Sequence, residues 1–356
     1  MKKVLRHSLL GATLLSLVFL LVFQTSHAAT GKGTEESPLV LKSAMWVPAG
    51  ITYSKANSWI LKEVEKRSKG RLKIEFYWSG SLVPAKSVAD GIKSGVADMG
   101  LVGAAYMPGK LPLATVVSLP LTGARFFSSA MALSELMQTP ELKAELGKYN
   151  MMYLSAFANS SYKLWSTTPI KTLADAKGKK IRTAGNQAKL LKALGAVPVS
   201  IIATEVYTAL QRGTLDGVMA NTTFAFDYKY TEVVKSMFAV DFGTVPFFMA
   251  VNKDSWNKIP SDIQQMFIDL QEEGAKYGHQ LYEGAGDKNI ANATAKGTIT
   301  VVEPSLGDLA LVQKTAKESV WSGWLKKMSG KGLPGQKVLD NYLEFLKKWE
   351  AKNPFK

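Results

Sequence analysis

Two segments of this chain echo each other, and the echo narrows the folds open to it. Gly91-Ile92-Lys93-Ser94-Gly95-Val96-Ala97-Asp98-Met99 parallels Ala209-Leu210-Gln211-Arg212-Gly213-Thr214-Leu215-Asp216-Gly217. Each reads as a helix end, a glycine, two residues, an aspartate and then a short apolar strand. Glycine suits the left-handed residue that closes a helix. The pattern is short enough to recur by coincidence. Taken as real, it places the same αβ unit once in each of two lobes. A cleft between two such lobes is a natural site for a small molecule.

The surrounding sequence alternates in the same way. Residues 39–46 read as a strand, and 54–68 as a helix with Trp59, Ile60 and Val64 on its apolar face. Gly70 closes that helix. Residues 71–78 read as a strand with Leu72, Ile74 and Phe76 on one side, and Pro84 opens a short helix to Ser94. This order implies a sheet packed between helices. Further strands are expected at 151–157, 181–183, 197–199 and 297–303, with helices at 187–194 and 204–211. Residues 238–251 read as a long strand or strand pair, broken at Gly243 and Pro246, returning the chain to the first lobe. Residues 261 to about 295 read as one long helix capped by Ser261 or Asp262. The helices from Leu306 onward, with Trp321, Trp324 and Trp349, are expected on the outside.

The first 28 residues read as a secretory leader. Lys2, Lys3 and Arg6 precede an uncharged apolar run, 9–23, and Ser26-His27-Ala28 gives small residues for cleavage after Ala28. The run is shorter than the ~20 apolar residues a spanning helix needs. No cysteine follows it to take a lipid, and no other stretch is apolar enough to span a bilayer. A soluble periplasmic protein is expected, with no stable membrane insertion once the leader is removed. The chain has no cysteine at all, which excludes disulfides and thiolate metal sites.

The net charge is +15, and 41 basic against 29 acidic residues leave +12 once the three leader cations are gone. The lysines are spread along helices, as in Lys62-Glu63-Val64-Glu65-Lys66, without a basic cluster interleaved with aromatics. Nucleic acid is therefore not an expected partner. A positive field that draws small anions and an anionic membrane surface fits better.

Of three histidines, His7 and His27 lie in the leader, leaving His279 in a polar helix, where it is expected to be exposed. No HExxH, GxSxG, Walker or SxxK pattern occurs, and no acidic pair stands out. The chemistry reads as binding, not as an enzyme, and no metal or cofactor is called for. The residue that suggests a ligand is Arg182, at the end of Lys177-Gly178-Lys179-Lys180-Ile181-Arg182. A guanidinium held behind a hydrophobic strand position can offer a fork of parallel hydrogen bonds to a carboxylate.

The run from Thr172 to Gly217 carries a family likeness. Leu173-Ala174-Asp175-Ala176-Lys177-Gly178-Lys179-Lys180-Ile181-Arg182 is followed by Leu194-Gly195-Ala196, Pro198, Glu205-Val206-Tyr207-Thr208-Ala209-Leu210-Gln211-Arg212-Gly213 and Leu215-Asp216-Gly217. With Gly95, Asp98, Leu119-Pro120 and the 256–263 segment, it resembles the DctP-type solute-binding proteins of tripartite ATP-independent periplasmic (TRAP) transporters, over essentially the whole mature chain. The resemblance implies an α/β, type II-like periplasmic binding protein with two lobes, a ligand cleft between them and a long helix spanning both. It implies closure on a small organic acid and delivery to the membrane subunits of an ion-gradient-driven permease. Lobe I takes 29–157 and about 246–290; lobe II takes 158–245 and about 291–356 with the C-terminal helices. Arg182 falls on the family's carboxylate-binding arginine.

Three positions depart from the family pattern. Tyr162, beside Lys163, stands where many members carry a second arginine. Ala203 replaces an aromatic and leaves space. Asn221 is displaced by one place from the family's ligand-binding asparagine. Trp46, Tyr106, Phe224 and Phe247 are further candidate ligand contacts, with lobe core as the plainer reading of such aromatics. One arginine and several aromatics point to a monocarboxylate with an apolar or aromatic body. A C4-dicarboxylate receptor, or a binding protein that presents its solute to a sensor kinase, is the alternative.

Overall fold

The computed structural model describes residues 29–122 and 125–355, so the expected leader lies outside the described residues. The protein is a two-lobed α/β structure built on two sheets. The first contains β1 (Leu39–Ala44), β2 (Leu72–Tyr77), β3 (Met99–Val102), β4 (Met151–Phe157) and β10 (Phe247–Asn252), in the order β2-β1-β3-β10-β4. The second contains β5 (Lys163–Ser166), β6 (Lys180–Arg182), β7 (Val197–Val199), β8 (Gly217–Ala220), β9 (Ser236–Phe238) and β11 (Thr300–Val302), in the order β11-β9-β5-β8-β6-β7. The chain passes from the first sheet to the second between β4 and β5 and returns between β9 and β10. The crossing strands run antiparallel to their neighbours: β5 to β8, which pairs β6 in parallel, and β10 to β3, which pairs β1 in parallel.

The echoed motif has one structural job in both lobes. Gly95 and Gly213 take φ of +73° and +67° at their helix ends. Asp98 Oδ2 then accepts the backbone N–H of Lys42 on β1 at 2.8 Å, and the Asp98 N–H donates to the Lys42 carbonyl. Asp216 Oδ2 accepts the N–H of Lys180 on β6 at 2.7 Å, and its N–H donates to the Lys180 carbonyl. Each aspartate fastens the start of one strand to its parallel neighbour, satisfying backbone groups that a frayed strand end would leave open.

Two expected helices are each divided. The first is Thr52–Asn57 and Trp59–Arg67, parted at Ser58 (φ −89°, ψ 0°). The second is Ser261–Asp269 and Gln271–Ala295, parted at Leu270 (φ −83°, ψ −2°). The break at Leu270 is supported from the side: Gln271 Nε2 donates to the Phe267 carbonyl at 2.7 Å and to Leu154 of β4 at 3.0 Å. The longer piece packs on helices of the first lobe and on Thr222–Asp227 of the second. Glycines permit this approach. A Cβ on Gly278 would sit 2.4 Å from the Phe126 ring, and one on Gly286 would sit 2.5 Å from Thr223 Oγ1.

His279 is buried, against the exposed position expected of it. Its ring stacks on Phe355 at 4.0 Å, and Nδ1 lies 2.6 Å from Glu283 Oε2. Glu283 also accepts from Arg125 Nε and the Phe126 N–H. Burial opposes the Glu283 charge, but His279, the Ser160 hydroxyl and the Phe126 N–H hold its carboxyl below the usual range. The covering partners lie in distant parts of the chain, which is why helix polarity misjudged this face. Trp324, on one of the helices after Leu306, is buried and donates to Thr115 Oγ1 at 2.8 Å. The last helix, Gly335–Ala351, packs on Phe126–Met137, with Trp349 against Phe127.

Candidate ligand-binding site

Arg182 ends β6 at the carboxyl edge of the second sheet, the side on which parallel α/β sheets collect ligands. Its side chain is 1% exposed. Nε donates to the Ile201 carbonyl at 3.0 Å, and Nη2 donates to the Tyr106 hydroxyl at 3.3 Å. Among the described residues no carboxylate pairs with it. Burial works against the charge, yet the oxygens of Tyr106, Tyr230 and Tyr162 keep the guanidinium pKa above its ordinary value. A buried cation without a counter-ion is expensive unless something charged completes it.

Three of the candidate aromatics meet one another, and one of them, Tyr106, touches this arginine. Trp46 follows β1, Tyr106 follows β3 and Phe247 opens β10, so the first sheet delivers all three to one edge. Trp46 meets Tyr106 edge-on at 5.4 Å and Phe247 at 5.0 Å, while Tyr106 and Phe247 stack at 5.7 Å. The Trp46 indole N–H is anchored on the Leu101 carbonyl at 3.1 Å. Tyr106, held by this triad, is the group that reaches across to Arg182. Tyr162 is buried just before β5. Desolvation pushes its hydroxyl pKa up against the pull of Arg182, so the phenol stays neutral.

The other candidates lie apart from this cluster. Asn221 Oδ1 accepts the Phe224 N–H at 2.9 Å and the Tyr282 hydroxyl at 2.6 Å, and Nδ2 donates to Asn159 Oδ1 at 3.0 Å. Its oxygen and one amide N–H are used in capping Thr222–Asp227 and tying the crossing segment to the long helix. Phe224 packs between Tyr53 at 5.4 Å and Tyr228 at 4.3 Å. Lys163 points its ammonium at the Ala239 carbonyl, 3.4 Å away. Ala203 is buried, and its carbonyl takes the Tyr230 hydroxyl at 2.7 Å.

Sequence reasoning missed Tyr53 and Tyr230 as neighbours of the site. Tyr53 sits in a helix whose apolar periodicity marks it only as buried, and Tyr230 follows a left-handed Lys229 (φ +60°) that no local pattern announces. Two hollows lie elsewhere. One of about 560 Å³ is lined by Arg125, Lys163, Asp241, Glu283 and Lys347; another of about 840 Å³ is lined by Met131, Met152, Trp256, Phe267 and Trp349. Neither includes Arg182. The uncompensated buried charge marks the site more strongly than open volume does.

The sequence matches the profile of the bacterial extracellular solute-binding proteins, family 7 (DctP), over residues 43–327. The chain belongs to this family. A TRAP periplasmic solute-binding protein from Desulfovibrio salexigens, crystallised as an open complex, is similar in structure with a TM-score of 0.76 and 28% identity, over 89% of this chain and 98% of that one. The 2,3-diketo-L-gulonate-binding periplasmic protein YiaO of Escherichia coli K12 is 27% identical, over 67% of this chain and 74% of its own. The C4-dicarboxylate-binding periplasmic protein DctP of Rhodobacter capsulatus is 26% identical, over 82% and 85%. The family 7 match spans every residue of the Arg182 cluster. Among the described residues, no helix of this DctP-family chain is long and apolar enough to cross a membrane.

Proposed function

We propose that this TRAP solute-binding protein takes a small organic monocarboxylate with an apolar or aromatic body and delivers it to the membrane subunits of its permease. The observation that carries this reading is Arg182, a buried guanidinium with no carboxylate partner among the described residues. A ligand carboxylate supplies the missing counter-charge. The first-lobe triad of Trp46, Tyr106 and Phe247 offers the apolar wall, and Tyr162 a neutral hydroxyl where a second arginine would select a second carboxylate. Asn221 and Phe224 lie apart from this wall, on the seam with Tyr53, Tyr228 and Tyr282. The protein is exported, with its leader cut after Ala28, and its lobes comprise 29–157 with about 246–290, and 158–245 with about 291–356.

Mass spectrometry of small molecules released from the freshly purified, denatured protein names the ligand, and calorimetry on the stripped protein then measures it. Arg182→Ala is expected to cost about 2–5 kcal/mol of binding. Binding only to short dicarboxylates, or an unchanged affinity in the variant, rejects the proposal.

A further inference from the structure

Two phenol hydroxyls near this site have no hydrogen-bond partner among the described residues. Tyr53 is fully buried, and its Oη makes no hydrogen bond; the Tyr228 Oη is buried and equally unpartnered. The two belong to different lobes, Tyr53 to the helix after β1 and Tyr228 to the end of the helix after β8. They are brought together because Asp227 accepts the N–H groups of Thr52 at 3.1 Å and Tyr53 at 2.8 Å. Both rings flank Phe224. Both hydroxyls are in electrostatic reach of Tyr106, which holds Arg182.

Buried donors left without an acceptor are costly and uncommon in folded proteins. Two of them at one seam between lobes, beside a cation that itself lacks a counter-ion, mark a second polar position in the same site. On the reading of Arg182 as carboxylate anchor, we propose that Tyr53 and Tyr228 are specificity residues that recognise a second oxygen on the ligand, a hydroxyl or carbonyl remote from the carboxylate. The substrate class is then an oxygenated monocarboxylate: an acid group at one end, an apolar or aromatic middle, and a neutral hydrogen-bonding oxygen at the other. A neutral oxygen suits this position because the phenols offer no charge, and burial keeps both of them protonated. A site built to hydrogen-bond such a group rejects the analogue that lacks it far more strongly than an apolar pocket rejects a missing methylene.

The test uses the stripped full-length mature protein and two matched probe pairs, phenylacetate with 4-hydroxyphenylacetate and pentanoate with 4-oxopentanoate, titrated by calorimetry. Wild-type protein is expected to prefer the oxygenated member of at least one pair by about tenfold or more. In Tyr53→Phe and in Tyr228→Phe the ratio within that pair should fall to within about threefold, whatever happens to absolute affinity. Thermal melts confirm that each variant is folded; should one fail, the other decides. A ratio near one in the wild type, or one that survives both substitutions, overturns the proposal. Binding of both members alike, abolished by Arg182→Ala, leaves the carboxylate reading standing while this inference falls. Binding of none of the four probes rejects the proposed substrate class altogether.

Discussion

Asp227 accepts the backbone N–H of Tyr53 at 2.8 Å, although the two residues are 174 positions apart and belong to different lobes. With the Thr52 N–H as well, its carboxylate supplies the end of helix Thr52–Asn57 with the cap that the helix's own N-cap, Ile51, does not provide. The contact exists only while these lobe segments are apposed. Asp227→Ala should therefore shift the unliganded protein toward an expanded state and weaken ligand binding, with a loss of about 1–2 kcal/mol. Small-angle scattering that finds the same radius of gyration in variant and wild type would remove Asp227 from this role.

Asn221 is expected to act on stability before it acts on affinity. Its amide caps one helix and joins Asn159 to Tyr282 while fully buried. Asn221→Ala leaves the two partner side chains short of a bond and should cost about 2–3 kcal/mol in denaturant melts. A variant of native stability with reduced ligand affinity would instead make Asn221 a direct ligand contact.

Glu145 makes stability depend on pH near neutrality. It is buried and accepts the N–H groups of Leu113 at 2.7 Å and Ala114 at 2.8 Å, with no salt bridge to it among the described residues. Desolvation outweighs those bonds and raises its pKa to about 7. A carboxyl whose folded pKa lies above its unfolded value favours folding when protonated. That contribution is fully present below about pH 4.5 and is lost as pH rises through about 7, amounting to on the order of 3 kcal/mol. The melting temperature should fall across this window in wild type and fall less in Glu145→Gln. Parallel pH profiles for the two proteins would contradict the assignment.

The long helix offers a matched pair of glycines. A Cβ on Gly278 meets the Phe126 ring at 2.4 Å, whereas one on Gly284 meets nothing within 4 Å. Gly278→Ala should destabilise by about 1–3 kcal/mol through overpacking. Gly284→Ala should stabilise by up to about 1 kcal/mol through helix propensity. Equal effects in chemical denaturation would mean that Phe126 yields without cost.

Much of the fold is legible because it depends on near neighbours. The strand at 197–199 and the Gly-x-x-Asp ends at Asp98 and Asp216 are announced by side-chain alternation and glycine conformation within a few residues, although the strands those aspartates fasten lie 56 and 36 positions away. Arg182 could be singled out in the same way, as a cation placed directly behind a strand position. The break at Leu270 was not legible, since helix-forming residues run through it and the bonds that support it come partly from β4; the break at Ser58 has only Asn57-Ser58 to announce it.

Sequence alone determined two αβ units, the absence of disulfides and the single arginine at a strand's carboxyl edge. Tertiary structure decided what surrounds that arginine. It set Tyr106 against Arg182, brought Tyr53 beside Tyr228, and buried His279 under Phe355. Each of these pairings joins residues 76 or more positions apart. The free energy that makes them comes from burying whole faces of lobes and helices together, and no local periodicity records which distant face will be the partner.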